Sequence, residues 1–320
     1  MEQETVTVET WSPKRGAFLA WMAGSAAAAL VGIFLLVSLT LHAGRTELPF
    51  EVLLDHQRAK LAGDLGSVVF VGDSSLGNAV NAQLFSQLSG SKATNLALTA
   101  GYGYQGTLQM IEAVLKHRHP SDFVIVQTPE MMMRRPEPAD FDLAPLSTLG
   151  AIARFRRTWL DTMNLDQLEE AARYVLFSSD RRADKRRGEV FRNDYIAQRD
   201  KPANLPRASH FDVKKINAGN GAVLAQIAGI CRKTKVNCIY LNGPWADPVC
   251  QQISGYLAAV DRIVRESGLT LADSDAECLA PGEIGDQADH TAPAAKDEMT
   301  KRIFERLRPY LSHNRLSALS

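Results

Sequence analysis

The feature that most constrains this chain is an apolar run, rich in β-branched residues, that ends in a tight turn. Residues 68–71 read Val-Val-Phe-Val, and Gly72-Asp73-Ser74 follows them directly. A short apolar run bounded by a turn signal is typical of a strand buried in a sheet. Open α/β sheets bind ligands beyond the carboxyl ends of their strands, and Ser74 lies at such an end. The segment therefore predicts a buried strand whose closing turn presents a serine hydroxyl.

Strand and helix patterns alternate along most of the chain. We predict strands at 67–71, 93–98, 123–127, 237–241 and 269–272, and helices at 49–61, 78–88, 107–116, 218–233, 248–267 and 293–311. Such alternation is typical of a parallel sheet joined by right-handed crossovers. The expected fold class is α/β, a three-layer α/β/α sandwich with a mostly parallel five-stranded sheet.

Residues 131–217 interrupt this alternation and are predicted to form a basic insertion. Two helices are expected within it, at 147–160 and 165–177, and residues 180–207 lack strong periodicity. A long segment without periodicity is typical of a loop-rich insertion or a lid. The basic side chains could bind an anionic glycan or phospholipid headgroups, or form an ordinary solvated surface, and both alternatives stay open.

Residues 16–41 contain no charged side chain. As a helix rising ~1.5 Å per residue, they would reach about 39 Å, which is enough to cross a bilayer. We therefore predict a cytoplasmic tail at 1–15, a transmembrane anchor at 16–43 and a folded body at 44–320. A long cleaved signal peptide is the alternative. Basic residues flank both ends of the apolar segment, so the positive-inside rule does not decide its orientation.

The net charge indicates which partners to expect, and the cysteines indicate the redox compartment. The formal net charge is zero, so no global field favours a nucleic acid, and none is predicted as a partner. Four cysteines lie in the last third of the chain. We predict a Cys250–Cys278 disulfide, which favours an oxidising compartment, and keep four reduced cytosolic thiols as the alternative.

The chemistry predicted for this chain depends on three kinds of side chain. A serine hydroxyl is a weak nucleophile that needs an adjacent base, although Asp73-Ser74 could also be a simple helix cap. Of the seven histidines, only His290 is expected in a loop just before the last helix, at the carboxyl edge of the sheet. Asp286 lies about one turn before His290 and is preferred as its orienting carboxylate; the adjacent Asp289 is the second choice.

These residues resemble the sequence blocks of the SGNH, or GDSL, hydrolase superfamily. Gly72-Asp73-Ser74 resembles the first block, Asn95-Leu-Ala-Leu-Thr-Ala-Gly101 the second, and Asp286-Gln-Ala-Asp-His290 the fifth. The resemblance implies catalysis by Ser74, His290 and an aspartate, with an oxyanion hole that includes the Gly101 N–H. Gly72 would let the backbone turn tightly and approach the substrate.

Two positions depart from the family pattern. The residue three before His290 is Gln287 rather than aspartate, and the third block reads Thr128-Pro129-Glu130 with no asparagine. One oxyanion donor is therefore missing or replaced, and Asn242 is the predicted substitute.

An N-terminal anchor on such a domain resembles the membrane-tethered SGNH-like proteins of cell-surface polymer acylation. That resemblance implies acyl transfer through a serine acyl-enzyme, as O-acetyl transfer to a surface polysaccharide or ester hydrolysis on it. It also implies a multi-span membrane O-acyltransferase as partner, and a single-pass protein of the bacterial inner membrane with its domain in the periplasm or outside. No cofactor or metal is expected. A catalytically degenerate domain that binds glycan or scaffolds a partner is the non-enzymatic alternative.

A glycine motif predicts a different function. Gly101-Tyr-Gly-Tyr-Gln-Gly106 matches the dinucleotide-binding pattern, and Glu130 follows the next strand, where a ribose-binding acid belongs. Tyr102 and Tyr104 are bulky where a pyrophosphate must approach closely. Dinucleotide binding is therefore kept as the weaker alternative.

Overall fold

The computed structural model of the protein describes residues 13–42, 49–135, 191–192, 194–196, 198, 203, 205 and 207–312. The described residues belong to two units, one containing the helix Pro13–His42 and the other an α/β body that begins at Pro49. The predicted helices at 147–160 and 165–177 lie outside the described residues, as do most of the basic side chains of the insertion.

The elements are numbered in chain order. The helices are α1 (Pro13–His42), α2 (Pro49–Leu61), α3 (Ser74–Ala79), α4 (Ala82–Ser89), α5 (Gly103–His117), α6 (Ala218–Thr234), α7 (Val249–Gln252), α8 (Ser254–Ser267) and α9 (Lys296–Leu307). The strands are β1 (Val68–Gly72), β2 (Ala93–Asn95), β3 (Asp122–Gln127), β4 (Phe191–Arg192), β5 (Tyr195–Ile196), β6 (Asn237–Asn242), β7 (Trp245–Ala246), β8 (Thr270–Leu271) and β9 (Cys278–Leu279).

The α/β body contains one five-stranded sheet over the described residues. Its strand order is β2-β1-β3-β6-β8, and every neighbouring pair is parallel. The chain leaves β1 toward β2 on one side and later enters β3 on the other side. The predicted α/β class and five-stranded parallel sheet are confirmed.

Both faces of the sheet are covered, because successive side chains of a strand point to opposite faces. In β1, Val69 and Val71 belong to one core cluster, whereas Val68 and Phe70 belong to another. The first cluster includes apolar residues of α5, α6 and α8, and the second includes residues of α3, α4 and α9. The body is therefore a three-layer sandwich, and its core strands are almost entirely buried.

Helix α1 carries large apolar side chains that are exposed, among them Phe18 at 57% and Trp21 at 69%. Over the residues that the structure describes, however, no helix satisfies both the length and the apolarity needed to cross a membrane.

Two predicted helices are each broken in two. The stretch predicted at 78–88 covers the end of α3 and most of α4, because the Asn81 side chain accepts hydrogen bonds from the N–H groups of Gln83 and Leu84 and caps a new helix. The stretch predicted at 248–267 forms α7 and α8, which are separated by Ile253.

Two disulfides are present, Cys231–Cys238 and the predicted Cys250–Cys278. The second disulfide joins α7 to β9, which leads into the loop containing His290. The prediction of this pairing is confirmed. It closes a loop spanning 28 residues, whereas Cys231–Cys238 spans 7.

Removing the longer disulfide is expected to cost more stability than removing the shorter one. Closing a longer loop removes more entropy from the unfolded chain, so a Cys250→Ala/Cys278→Ala variant should lose about 3–4 kcal/mol and Cys231→Ala/Cys238→Ala about 2 kcal/mol. Denaturant unfolding of both variants measures the free energies of unfolding. Equal losses, or a larger loss in the second variant, would contradict the prediction.

Candidate active site

Ser74 is the first residue of α3 and directly follows the turn at the end of β1. Gly72 is required there because a Cβ at this position would overlap the carbonyl oxygen of Val126 in β3. Asp73 caps α3: its Oδ1 accepts from the Ser75 N–H at 2.9 Å. Its Oδ2 accepts from the Thr128 N–H, also at 2.9 Å. Asp73 therefore ties the serine turn to the chain leaving β3.

This position is the topological switch point of the sheet. The chain leaves β1 and β3 toward opposite sides, and open sheets usually bind ligands beyond the carboxyl ends of such strands. Ser74 follows the carboxyl end of β1 and is 9% exposed. None of the described residues forms a hydrogen bond with the Ser74 hydroxyl.

His290 lies in the loop that precedes α9, and a short turn brings Asp286 back onto its ring. The Gly285 N–H donates to the His290 carbonyl, and Ile284 bridges to Thr291 across the turn. His290 Nδ1 lies 2.7 Å from Asp286 Oδ1, and both side chains are nearly buried, at 8% and 7% exposure. Asp286, preferred from the sequence, is thus the carboxylate in contact with Nδ1.

The other ring nitrogen of His290 is buried and forms no hydrogen bond with the residues that the structure describes. Because a carboxylate at Nδ1 favours the tautomer protonated on that atom, Nε2 is left as the acceptor. Asp289 lies on the Nε2 side, with its Oδ1 3.9 Å away. Asp289 therefore does not orient the ring through Nδ1.

The serine and histidine elements pack against each other. Two side chains of α9, which follows the histidine loop, donate to carbonyls of α3: Lys296 Nζ to Gly77 at 2.8 Å and Thr300 Oγ1 to Ala79 at 3.1 Å. The charges of Asp73 and His290 are close enough to shift each other's pKa. The structure therefore brings Ser74, His290 and Asp286 to one end of the sheet.

Three carboxylates surround the imidazole. Burial alone lowers the pKa of His290, but the hydrogen bond to Asp286 and the charges of Asp289, Asp286 and Asp73 outweigh it, so the pKa is raised. Burial raises the pKa of Asp73 although hydrogen bonds from Ser75 and Thr128 oppose this. Burial also raises the pKa of Asp289, to about 6. This arrangement stabilises an imidazolium, the form of His290 that has accepted a proton.

The predicted oxyanion residues have different surroundings. Gly101 is exposed and lies in a 3₁₀ turn after β2 (Ala100–Tyr102), and the Leu98 N–H in the same loop donates to the Gly72 carbonyl at 2.8 Å. Asn242, predicted to replace the missing donor, is buried, and its Nδ2 donates to Asp261 of α8 at 3.0 Å. This contact engages one hydrogen of the Asn242 amide, and its Oδ1 has no hydrogen-bond partner among the described residues, so the oxyanion role of Asn242 stays a prediction.

Residues of the glycine motif that would bind a dinucleotide instead contact other parts of the protein. A Cβ on Gly106 would overlap the Cβ of Tyr102, so this glycine allows the 3₁₀ turn to pack on α5. The Tyr104 hydroxyl is buried and lies 2.8 Å from the Tyr240 hydroxyl. Glu130, the predicted ribose ligand, forms an ion pair with Arg134 at 3.2 Å. No contact among these residues specifically favours a dinucleotide.

Two residues near the site, Asn78 and Gln198, were not predicted from the sequence. Asn78 Nδ2 donates to the Ser74 carbonyl at 2.8 Å, and Gln198 contacts both Asn78 and the histidine loop. Gln198 follows no periodic pattern, so no sequence signal identifies it. Within the described residues, no group of three or more His, Cys, Asp or Glu side chains could hold a metal ion.

Asp289→Asn is expected to shift the pH dependence of any reaction in which His290 acts as a base. The Asp289 charge raises the pKa of His290, and a base must be deprotonated to act. Removing the charge lowers that pKa, so the acidic limb of the rate profile should move to lower pH. The rate of p-nitrophenyl acetate hydrolysis, measured across pH, checks this. A shift to higher pH would contradict it.

The fold and the site together define a doubly wound α/β protein with a serine, a histidine and an aspartate at its switch point. No family model matches the sequence, and no curated protein matches it. Solved structures do show similarity. The structure of TesA is 13% identical, with 76% of this chain and 99% of that chain covered and a TM-score of 0.38.

Two further structures have comparable similarity. A lipolytic protein of the G-D-S-L family from Desulfitobacterium hafniense DCB-2 is 10% identical, covering 75% of this chain and 98% of that chain at a TM-score of 0.35. A platelet activating factor from Streptococcus pneumonia is 12% identical, covering 90% of this chain and 99% of that chain at a TM-score of 0.39. The G-D-S-L family is the one that Gly72-Asp73-Ser74 resembles. At this level of similarity the comparisons assign no role to any residue of this chain.

Proposed function

We propose that this protein transfers acyl groups through a covalent intermediate on Ser74. The observation that carries the proposal is the orientation of His290: Asp286 binds Nδ1, and the buried Nε2 has no hydrogen-bond partner among the described residues. A histidine held in this way can accept a proton from a serine hydroxyl at the same end of the sheet.

In the proposed reaction, Nε2 of His290 accepts the hydroxyl proton of Ser74 while Oγ attacks the carbonyl carbon of an ester. The carbonyl electron pair moves to oxygen and forms a tetrahedral intermediate. The intermediate collapses, the bond to the alcohol oxygen breaks, and the imidazolium returns the proton to the leaving alcohol. Water or a sugar hydroxyl then attacks the acyl-serine by the reverse sequence of proton transfers and frees Ser74.

Backbone donors would bind the oxyanion. The N–H of Ser74 lies in the first turn of α3, where N–H groups have no intrahelical partner. The N–H of Gly101, in the loop after β2, is the second proposed donor. Asp73, Asp286 and Asp289 would stabilise the imidazolium that exists together with the intermediate.

The proposed substrate is an acyl ester at the cell surface, with O-acetyl transfer to a polysaccharide, or ester hydrolysis on it, as the two reaction types. Two observations support work outside the cytoplasm. Disulfides persist in oxidising compartments, and all four cysteines are paired. The uncharged stretch 16–41 and the exposed apolar side chains of α1 support a single-pass anchor in a bacterial inner membrane. A multi-span O-acyltransferase is the proposed donor partner.

The test uses the full-length protein in detergent, with p-nitrophenyl acetate as acetyl donor and oligosaccharides of cell-surface polymers as acceptors. Acetylated sugar, detected by mass spectrometry, supports transfer, and free acetate alone supports hydrolysis. No acetate, no acetylated sugar and no labelling of Ser74 by a fluorophosphonate probe would instead support the degenerate binding or scaffold alternative.

A further inference from the structure

The side chain of Gln198, from the 131–217 insertion, bridges the serine helix and the histidine loop. Its Nε2 donates to Asn78 Oδ1 in α3 at 2.9 Å and to the Thr291 carbonyl at 2.6 Å. Its Oε1 accepts from the Asp286 N–H at 3.3 Å. A glutamine amide has two donor hydrogens and one acceptor oxygen, and all of these are engaged.

Each residue that Gln198 contacts either belongs to the proposed site or is linked directly to one of its residues. Asn78 donates from its own amide to the Ser74 carbonyl at 2.8 Å, so the bridge continues to the serine backbone. Thr291 is the residue after His290, and Asp286 is the carboxylate on Nδ1. One amide group thus connects the elements that carry the nucleophile, the base and the orienting acid.

The loop is shaped to receive this amide. A Cβ on Gly285 would overlap the Gln198 side chain, so only glycine lets the loop backbone approach so closely. Gly285 also donates to the His290 carbonyl and thereby closes the turn that brings Asp286 to the ring.

The neighbours of Gln198 are themselves anchored. We define the strap as Asp194, Tyr195, Ile196 and Gln198. The Tyr195 hydroxyl donates to the Leu98 carbonyl at 2.7 Å, and a Cβ on Gly77 of α3 would overlap the Tyr195 ring. Asp194 forms an ion pair with Lys60 of α2 at 2.9 Å. The contacts of Asp194 and Tyr195 therefore hold the strap, which includes Gln198, against the α/β body.

We propose that Gln198 is a positioning residue that sets the distance between the serine helix and the histidine loop. The inference rests on the proposed function, because it assigns the bridge a role in acyl transfer. The amide does not act on the substrate, since its polar atoms bind protein. Without it, the two elements can shift, and a displacement of about 1 Å between reacting groups costs on the order of 10²-fold in rate.

The kinetic experiment compares Gln198→Ala and Gln198→Glu with the wild type, using p-nitrophenyl acetate. We expect kcat per labelled site to fall by about 10- to 100-fold with KM unchanged, because substrate contacts remain while alignment is lost. Gln198→Glu keeps the size and the acceptor but loses both donors, so it should not restore the rate. Gln83→Ala, which removes an exposed glutamine from α4, is the matched control and should be unchanged.

Active sites are counted by fluorophosphonate labelling, so that variants that merely fold in lower yield keep the wild-type kcat per site. Asn78→Ala combined with Gln198→Ala should be about as slow as the slower single variant, because both break one bridge. Unchanged kcat per site, or fully multiplicative losses in the double variant, would overturn the proposal.

A second measurement does not depend on activity. Amide hydrogen exchange is followed for residues 285–291 and for α3 in the wild type, Gln198→Ala and Gln83→Ala. We expect faster exchange at both segments in Gln198→Ala alone, and unchanged exchange there would overturn the bridge itself. A wild type that never labels at Ser74 would remove the proposed function, and with it the catalytic role of Gln198, whatever the exchange shows.

Discussion

Ser74→Ala is expected to abolish labelling by a fluorophosphonate probe and to lower kcat for p-nitrophenyl acetate by about 10⁴- to 10⁶-fold. The variant lacks the oxygen that attacks the carbonyl. The Asp286–His290 contact and the cap formed by Asp73 do not involve the Ser74 hydroxyl, so the fold should be retained. Intact-mass spectrometry of the labelled protein and steady-state kinetics measure the two effects.

The matched control is Ser121→Ala. Ser121 is exposed and lies at the amino end of β3, whereas Ser74 follows the carboxyl end of β1. This variant should label and hydrolyse as the wild type does. A probe adduct that persists in Ser74→Ala, or an unchanged rate, would show that another residue is the nucleophile and would remove the basis of the proposed mechanism.

Asp286→Asn is expected to lower kcat by about 10³- to 10⁴-fold with little change in fold. An asparagine amide can donate to Nδ1, which favours the tautomer with its proton on Nε2, and that tautomer cannot accept the serine proton. The variant also loses the hydrogen bond that raises the pKa of His290. Steady-state kinetics measure the rate, and nitrogen-15 NMR of the imidazole reports the tautomer.

Asp289→Asn distinguishes the role of Asp289 from that of Asp286. Because Asp289 lies 3.9 Å from Nε2 and has no contact with Nδ1, its replacement should move the pH profile while keeping most of the rate. If Asp289→Asn lost as much rate as is expected of Asp286→Asn, and Asp286→Asn stayed active, the roles assigned to the two residues would be reversed.

Much of the fold could be predicted because its signals are local. The apolar runs that became β1, β3 and β6 are almost entirely buried in the sheet. The turn after the first run located Ser74 at the carboxyl edge of the sheet. The breaks within the two split helices were missed, because one depends on the Asn81 cap and the other occurs at Ile253 with no breaker residue.

The site was predictable only in part. The spacing favoured Asp286 over Asp289 as the partner of His290, and the turn closed by Gly285 places Asp286 on Nδ1. Asn242 was predicted to bind the oxyanion, and the structure adds a hydrogen bond from its Nδ2 to Asp261 of α8 that the sequence did not indicate. The direction of the Asn242 side chain does not follow from spacing, since it is set only after the neighbouring elements have packed.

Local pattern alone is enough to predict a parallel α/β sheet and a serine at the end of its first strand, because periodicity and turn chemistry act over a few neighbouring residues. Which groups meet around that serine depends on the packing of α9 against α3 and on the strap that carries Gln198 to Asn78, 120 positions away in the chain. Hydrogen bonds across such separations form only when the sheet has aligned its carboxyl ends, so the tertiary structure alone decided the bridge from Gln198 to α3 and to the histidine loop.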